Sequence, residues 1–281
     1  MASPSLRKLQ TIPPLKQKLD RLYRETNRPE FILRDPVQFV HKFSSGPDQE
    51  IAAFLAATIA WGRRDLILKS AEKMFALMGP SPYAFVMKGS FKKLGGRSQS
   101  HGSRGMSIHR TFFESDLRYF CKGFKACYAK YGSLEAIFAS AENIWEGIRL
   151  FRETMAAANC SLGNSGPENG GMYTKHIANP ATNSACKRLH LALRWLVRRE
   201  GPVDLGLWKS ISPSSLFIPL DLHVGRAARQ LGLLGDGRKA NDKKAVVSLT
   251  EKLREFCPED PVKYDLALFG YSLRQDFFHA G

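Results

Sequence analysis

The sequence predicts an all-α protein built as two helical lobes. Three observations carry this. Apolar residues recur at i, i+3, i+4 and i+7 over most of the 281 residues. No stretch alternates apolar and polar residues in the manner of a half-buried strand. Helix start and stop signals, Asp-Pro and Gly-Pro pairs among them, punctuate the pattern. A hydrophobic content of 43% and an aromatic content of 11% supply a core and exclude a wholly disordered chain.

The elements follow in order, about ten helices in all. A helix over 13–27 comes first. Asp35-Pro36 forms a start pair, in which Asp caps free N–H groups and Pro fits the first turn. After Asp48, the residues Ile51, Phe54, Leu55, Thr58 and Ile59 make one stripe. Ile67, Ala71, Met74, Phe75 and Met78 make the next, which Gly79-Pro80 stops. Phe113, Leu117, Phe120, Phe124 and Cys127 alternate steps of four and three. Ser133 caps a predicted helix carrying Ile137, Ile144, Ile148, Phe151 and Met155. Leu220, Val224, Ala227, Ala228 and Leu231 form a further stripe, and Val246, Leu249, Leu253 and Phe256 another. Asp260-Pro261 opens the last helix, with Tyr264, Ala267, Leu268 and Tyr271 at core spacing.

Two Gly/Ser-rich breaks, 92–107 and 160–172, cannot bury a core and read as flexible loops. The second divides a lobe at 30–160 from a lobe at 173–281, onto which the helix at 13–27 packs.

The charge balance is +16, from 42 Lys and Arg against 26 Asp and Glu. Such a surplus attracts polyanions, or marks a merely basic protein. No run approaches the roughly 18–20 apolar residues of a membrane span, and Met1 to Arg21 lacks a secretory signal's apolar core. No membrane association is therefore expected, and nucleic acid is the favoured partner. Five Cys, an odd number without a disulfide framework, point to a reducing compartment. Cys121 and Cys127 read as buried core thiols. No His/Cys/carboxylate set has zinc spacing, and no metal or organic cofactor is implied.

The informative stretch runs from Tyr173 to Leu234. In the helix after Asn183-Ser184, Lys187, Arg194 and Arg198 fall within about 20° of one line, with His190 about 60° away. Leu189, Ala192, Leu193 and Leu196 take other azimuths. One helix thus offers a core side and a cationic stripe, with Arg188 and Arg199 beside it. Lys187 stands in the first turn, where the helix dipole disfavours a cation. A neutral amine there is what a Schiff-base nucleophile requires. The bland alternative is a solvated basic face. Asp221, 34 residues later, sits in Ile-Pro-Leu-Asp-Leu-His-Val-Gly-Arg just ahead of an amphipathic helix. It reads as an N-cap, and a capping carboxylate stays ionised and can stabilise developing positive charge. His223 and Arg226, one turn apart, are phosphate-contact candidates or merely exposed.

A first-turn Lys followed by hydrophobic-Pro-hydrophobic-Asp-x-His-Val-x-Arg resembles the helix-hairpin-helix DNA glycosylases. The segment is similar to one in endonuclease III relatives. The Lys-to-Asp spacing and Arg194-Trp195 look more like the archaeal 8-oxoguanine glycosylase branch. His109-Arg110-Thr111-Phe112, Cys186-Lys187-Arg188-Leu189, Leu207-Trp208-Lys209-Ser210-Ile211 and Asp260-Pro261-Val262-Lys263-Tyr264-Asp265 resemble, over nearly the whole chain, an uncharacterised bacterial family of unknown function. The glycosylase resemblance implies that Lys187 and Asp221 are the catalytic pair and that a damaged base is flipped out of DNA. It implies duplex contacts at Asn183, Ser184, Arg188, Arg194, Arg198, His223 and Arg226. Trp61, Arg63 and Arg64, between two helices, occupy a place that meets the duplex in that family, though Trp61 also suits core packing. His109 and Arg110, which open a predicted helix, and Lys175 and His176 are paired basic residues that reach phosphate or stay solvated. Lys209 is the second choice of nucleophile. The chain departs from the family in having no Gly in the hairpin stretch Thr182–Cys186 and no four-Cys cluster. The resemblance therefore implies a glycosylase with AP lyase activity, and the alternative is a non-catalytic DNA or RNA structure-binding protein on the same fold. A monomer in the cytoplasm, associated with the nucleoid, completes the expectation.

Overall fold

The computed structural model describes residues 14–94, 105–160, 173–235 and 241–278. Most of both Gly/Ser-rich loops lies outside the described residues. The chain is 64% helix, with thirteen α-helices among the described residues. They are α1 Pro14–Thr26, α2 Pro29–Ile32, α3 Gln38–His41, α4 Gly46–Thr58, α5 Arg64–Met78 and α6 Pro82–Met87, then α7 Glu114–Tyr131, α8 Leu134–Ala139 and α9 Ile144–Ala157. After these come α10 Lys187–Val197, α11 Leu222–Gln230, α12 Lys243–Arg254 and α13 Tyr264–Phe278. A two-stranded antiparallel hairpin, β1 Ser107–His109 and β2 Phe112–Phe113, precedes α7.

The centre of the molecule is α4. Its residues from Glu50 to Thr58 are all buried, so it is covered on every side, as a helix without a polar face must be. It packs against α10, α3 and α6. One polar residue in it is fully used. The Glu50 carboxylate accepts hydrogen bonds from Tyr128 Oη (2.7 Å), Trp208 Nε1 (2.8 Å) and the backbone amides of Leu134 and Glu135. It thereby ties α4 to α7, to the start of α8 and to the connection after α10. The helices α7, α8 and α9 pack on one another, and α1 lies along α13, which also carries α11.

Three local expectations are corrected. His109 and Arg110 do not open a helix. They stand at the hairpin turn, where Arg110 takes φ 51°, and α7 starts only at Glu114. The helix expected after Ser133 is two helices, because Asn143 accepts from Glu146 N and starts α9 afresh, as Ser133 starts α8 through Ala136 N. The cationic stripe of α10 is not a surface. Arg194 is 3% exposed and Arg198 fully buried. Arg194 pairs with Asp204 (3.2 Å) and Asp265, and Arg198 with Asp204 and with Asp260 (2.8 Å), while Arg198 Nη2 also donates to Tyr23 Oη (2.8 Å). Their carboxylate partners lie up to 71 positions away in sequence, so the stripe faces a buried acidic set and not solvent. Neither arginine can meet a phosphate in this conformation.

Candidate functional site

The site is built by three chain segments meeting at the exposed first turn of α10. That helix begins at Lys187, after Cys186 in the left-handed region (φ 46°). The segment before it is a three-residue 3-10 turn, Pro180–Thr182, followed by Asn183 at φ 59°. Asn183 and Ser184 are held to the N-terminus of α12, through Asn183 Nδ2 donating to Asp242 Oδ2 (2.9 Å) and a β-bridge from Ser184 to Asp242. The second segment is α11, whose N-cap is Asp221. Its carboxylate accepts from Val224 N at 2.8 Å, which fixes the side chain on its own backbone.

The pair singled out in the sequence is in contact. Lys187 Nζ lies 3.2 Å from Asp221 Oδ2 and 3.4 Å from the Ala60 carbonyl, which it donates to. Both side chains are partly exposed. They open onto a cavity of about 900 Å³, walled by Phe31, Ile67, Leu191, Leu266 and Phe269. Trp61, Gly62, Arg64, Leu222 and His223 also line it. The Arg64 guanidinium sits over the Phe269 ring, 4.9 Å from its centroid.

Two further carboxylates face this cavity, Asp35 and Asp265. Burial pushes the Asp265 carboxyl up to about 6, against the opposing pull of Arg194, and the nearby Asp221 charge adds to the rise. Burial likewise raises Asp35, against Arg64, Arg194 and Lys187. Asp35 accepts the Val37 amide at 3.1 Å. Desolvated acids beside a Lys–Asp pair in an apolar cleft are the kind of perturbed cluster that marks working sites.

A second cavity, of about 580 Å³, adjoins the first. Ala60, Trp61, Lys187 and Asn241 line both, so these four residues form the shared wall. Asn183, Ser184, Lys175, His176 and Arg188 line only the second. Asn241 is a brace: its Nδ2 donates to the Asp221 carbonyl (2.7 Å) and its Oδ1 accepts from Arg229 (2.9 Å). The brace needs Gly225, because a Cβ there would stand 2.5 Å from Asn241 Oδ1.

The remaining predicted contacts divide. Arg63 is exposed and paired with Asp65 at 2.7 Å. Arg110 is exposed and lies over the Trp61 ring at 4.8 Å, while Arg226 and His223 are exposed on α11. Arg188 is half-buried and donates to the Thr58 carbonyl (2.8 Å), and burial lowers its pKa. Trp61 is half-buried, with His109 edge-on at 5.1 Å. His109 and His176 are corrections. His109 is 2% exposed and engages Ser70 Oγ and the Trp61 carbonyl, both at 2.9 Å. His176 is buried, with Nε2 3.6 Å from Asp116 Oδ1. Neither imidazole is presented to a phosphate. Lys209 lies outside both cavities, its ammonium tied to the Gly206 carbonyl, so Lys187 is the lysine of the cleft.

Sequence reasoning missed Asp35, Asp265, Asn241, Phe31 and Phe269. Asp35 and Asp265 each read as part of an ordinary helix-opening segment, and Asn241 as a loop residue. The one available signal was the spacing Asp265 to Phe269, which puts a carboxylate and a ring on one face of α13.

Cys121 and Cys127 are buried core thiols, and burial raises Cys121 and pushes Cys127 up to about 12. Among the described residues, no group of three or more His, Cys, Asp or Glu is placed to hold a metal ion. Among them, too, no helix is long and apolar enough to cross a membrane.

A family model described as "Protein of unknown function (DUF2400)" matches residues 35–274, a span that holds every cavity residue named above except Phe31. No curated protein and no solved structure matches the chain.

Proposed function

The chain belongs to the DUF2400 family, whose description assigns no activity, and from its cleft we propose that it is a DNA glycosylase with AP lyase activity, acting through Lys187. The observation that carries the reading is the Lys187–Asp221 contact at 3.2 Å, opening onto a largely apolar cavity wide enough for a nucleobase. The net charge of +16 supplies the attraction to a polyanion. The two-lobed helical architecture of the helix-hairpin-helix glycosylases belongs to the same proposal.

In this reading a damaged base leaves the stack and enters the cavity, because the N-glycosidic bond is out of reach inside a duplex. Lys187 passes a proton to the Asp221 carboxylate and its free amine attacks C1′. The C1′–N bond breaks, and the base departs with the bonding pair and takes the proton from Asp221. Opening of the sugar ring then moves a proton from the new C1′–N link to O4′ and leaves an iminium. Asp221, ionised again, stands beside that positive charge. Phe31, Leu191 and Phe269 exclude water from the base.

The test is reduction by borohydride in the presence of a panel of damaged-base duplexes. A covalent adduct that Lys187→Gln abolishes supports the enzyme. DNA binding that is steeply salt-dependent, without an adduct on any duplex, favours the second reading, a non-catalytic structure-binding protein. That alternative has one observation in its favour: the element ahead of α10 is a three-residue turn without glycine, not the helix of a helical hairpin.

A further inference from the structure

Leu222 is 76% exposed, more than any other large hydrophobic side chain among the described residues. A single exposed Leu is ordinary on a protein surface. This one is not placed at random. It is the first residue of α11, directly after Asp221, and it lines the same cavity as Lys187. Its backbone is fixed, because Asp221 caps the helix and Asn241 holds the Asp221 carbonyl. A rigidly mounted aliphatic side chain therefore stands at the cavity mouth, with exposed His223 and Arg226 following it on α11.

We propose that Leu222 inserts into a duplex, filling the gap left in the base stack by the nucleotide drawn into the cavity. The inference rests on the reading of the cleft as a flipped-base site. The occupant is double-stranded DNA with a vacancy, because the site's chemistry and the +16 charge both call for it. Apolar side chains wedged between base steps are a recurring way to stabilise unstacked DNA. Trp61, the residue that sequence spacing puts at the duplex, is ill-suited to the task. Its ring is held between Arg110 and His109 in the wall shared by the two cavities. Leu222 touches the surface at one end and the site at the other.

The test compares the affinity of the full chain for two duplexes of one sequence at one salt concentration. One is intact and the other carries a tetrahydrofuran abasic analogue. The wild-type protein is expected to prefer the gapped duplex. Leu222→Ala should reduce that preference roughly ten- to thirty-fold, from the apolar surface no longer buried, while affinity for intact duplex stays the same. Leu222→Met should restore most of it. Leu77→Ala, at an exposed position outside the cavity, should leave it unchanged. Retention of the full preference by Leu222→Ala overturns the inference, as does equal binding of both duplexes by the wild type. Concentration-dependent self-association that Leu222→Ala removes also overturns it, since a second copy would then be the occupant. Borohydride trapping by the wild type decides the reading of the cleft separately. A trapped adduct together with an unaffected Leu222→Ala variant would sink the wedge and leave the glycosylase.

Discussion

Arg198→Leu tests whether the cationic line of α10 holds the fold or holds DNA. Arg198 is fully buried, and its guanidinium meets Asp204, Asp260 and Tyr23. Removing it leaves Asp260 without its arginine, whereas Asp204 keeps Arg194 at 3.2 Å. Breaking a buried pair from one side costs about 3–5 kcal/mol, because an uncompensated charge remains out of water. The lower half of that range is expected, since Asp204 stays paired. At roughly 2 °C per kcal/mol for a chain of this size, the melting midpoint should fall by about 6–10 °C. The assay is urea unfolding followed by circular dichroism, beside DNA affinity measured on the folded fraction. Asp260→Asn added to Arg198→Leu should recover about 1–2 kcal/mol, because the stranded charge is gone. DNA affinity should not change. An unaltered midpoint with weakened, less salt-sensitive DNA binding would refute the reasoning and return Arg198 to the surface.

Asp221→Asn should keep the α11 cap, since Asn caps as well as Asp, so its stability should stay within about 1 kcal/mol of wild type, while adduct formation with damaged duplex falls sharply; equal adduct yields would remove Asp221 from the chemistry. Gly225→Ala, which by helix propensity alone would stabilise α11 by about 0.5–1 kcal/mol, should instead displace Asn241 and slow adduct formation, and an unaffected rate would show that the Asn241 brace is dispensable. Asp265 has a pKa raised to about 6, so the folded chain holds this proton more tightly than the unfolded chain does. Its contribution to stability is full below about pH 4 and is lost as the pH rises through about 6. Denaturant unfolding at several pH values should therefore show the wild-type minus Asp265→Asn difference shrinking over that window, and a difference that grows with pH would contradict the burial argument. Binding to intact duplex should weaken with salt, with a slope of log affinity on log salt shallower than the −4 to −5 implied by a fully exposed cationic stripe, because Arg194 and Arg198 contribute no counterion release; a slope of about −5 or steeper would speak against their burial.

The sequence by itself determined the local structure and the central pair. Helical periodicity, the caps at Ser133 and Asp221, and the stop at Gly79 are properties of a few neighbouring residues, and the structure carries each of them. The Lys187 and Asp221 contact was legible because both stand at helix starts, where motif spacing constrains position. Periodicity also put Lys187, Arg194 and Arg198 on one line, but a line has no sign for solvent. Only the tertiary structure decided that the line runs from an open first turn into a buried acidic set formed by Asp204, Asp260 and Asp265. The same holds for the cavity, where Asp35, Asn241 and Phe269 come from segments far apart in the chain. A buried charge is tolerated only where partners desolvate with it, and those partners are chosen by packing, not by spacing along the sequence.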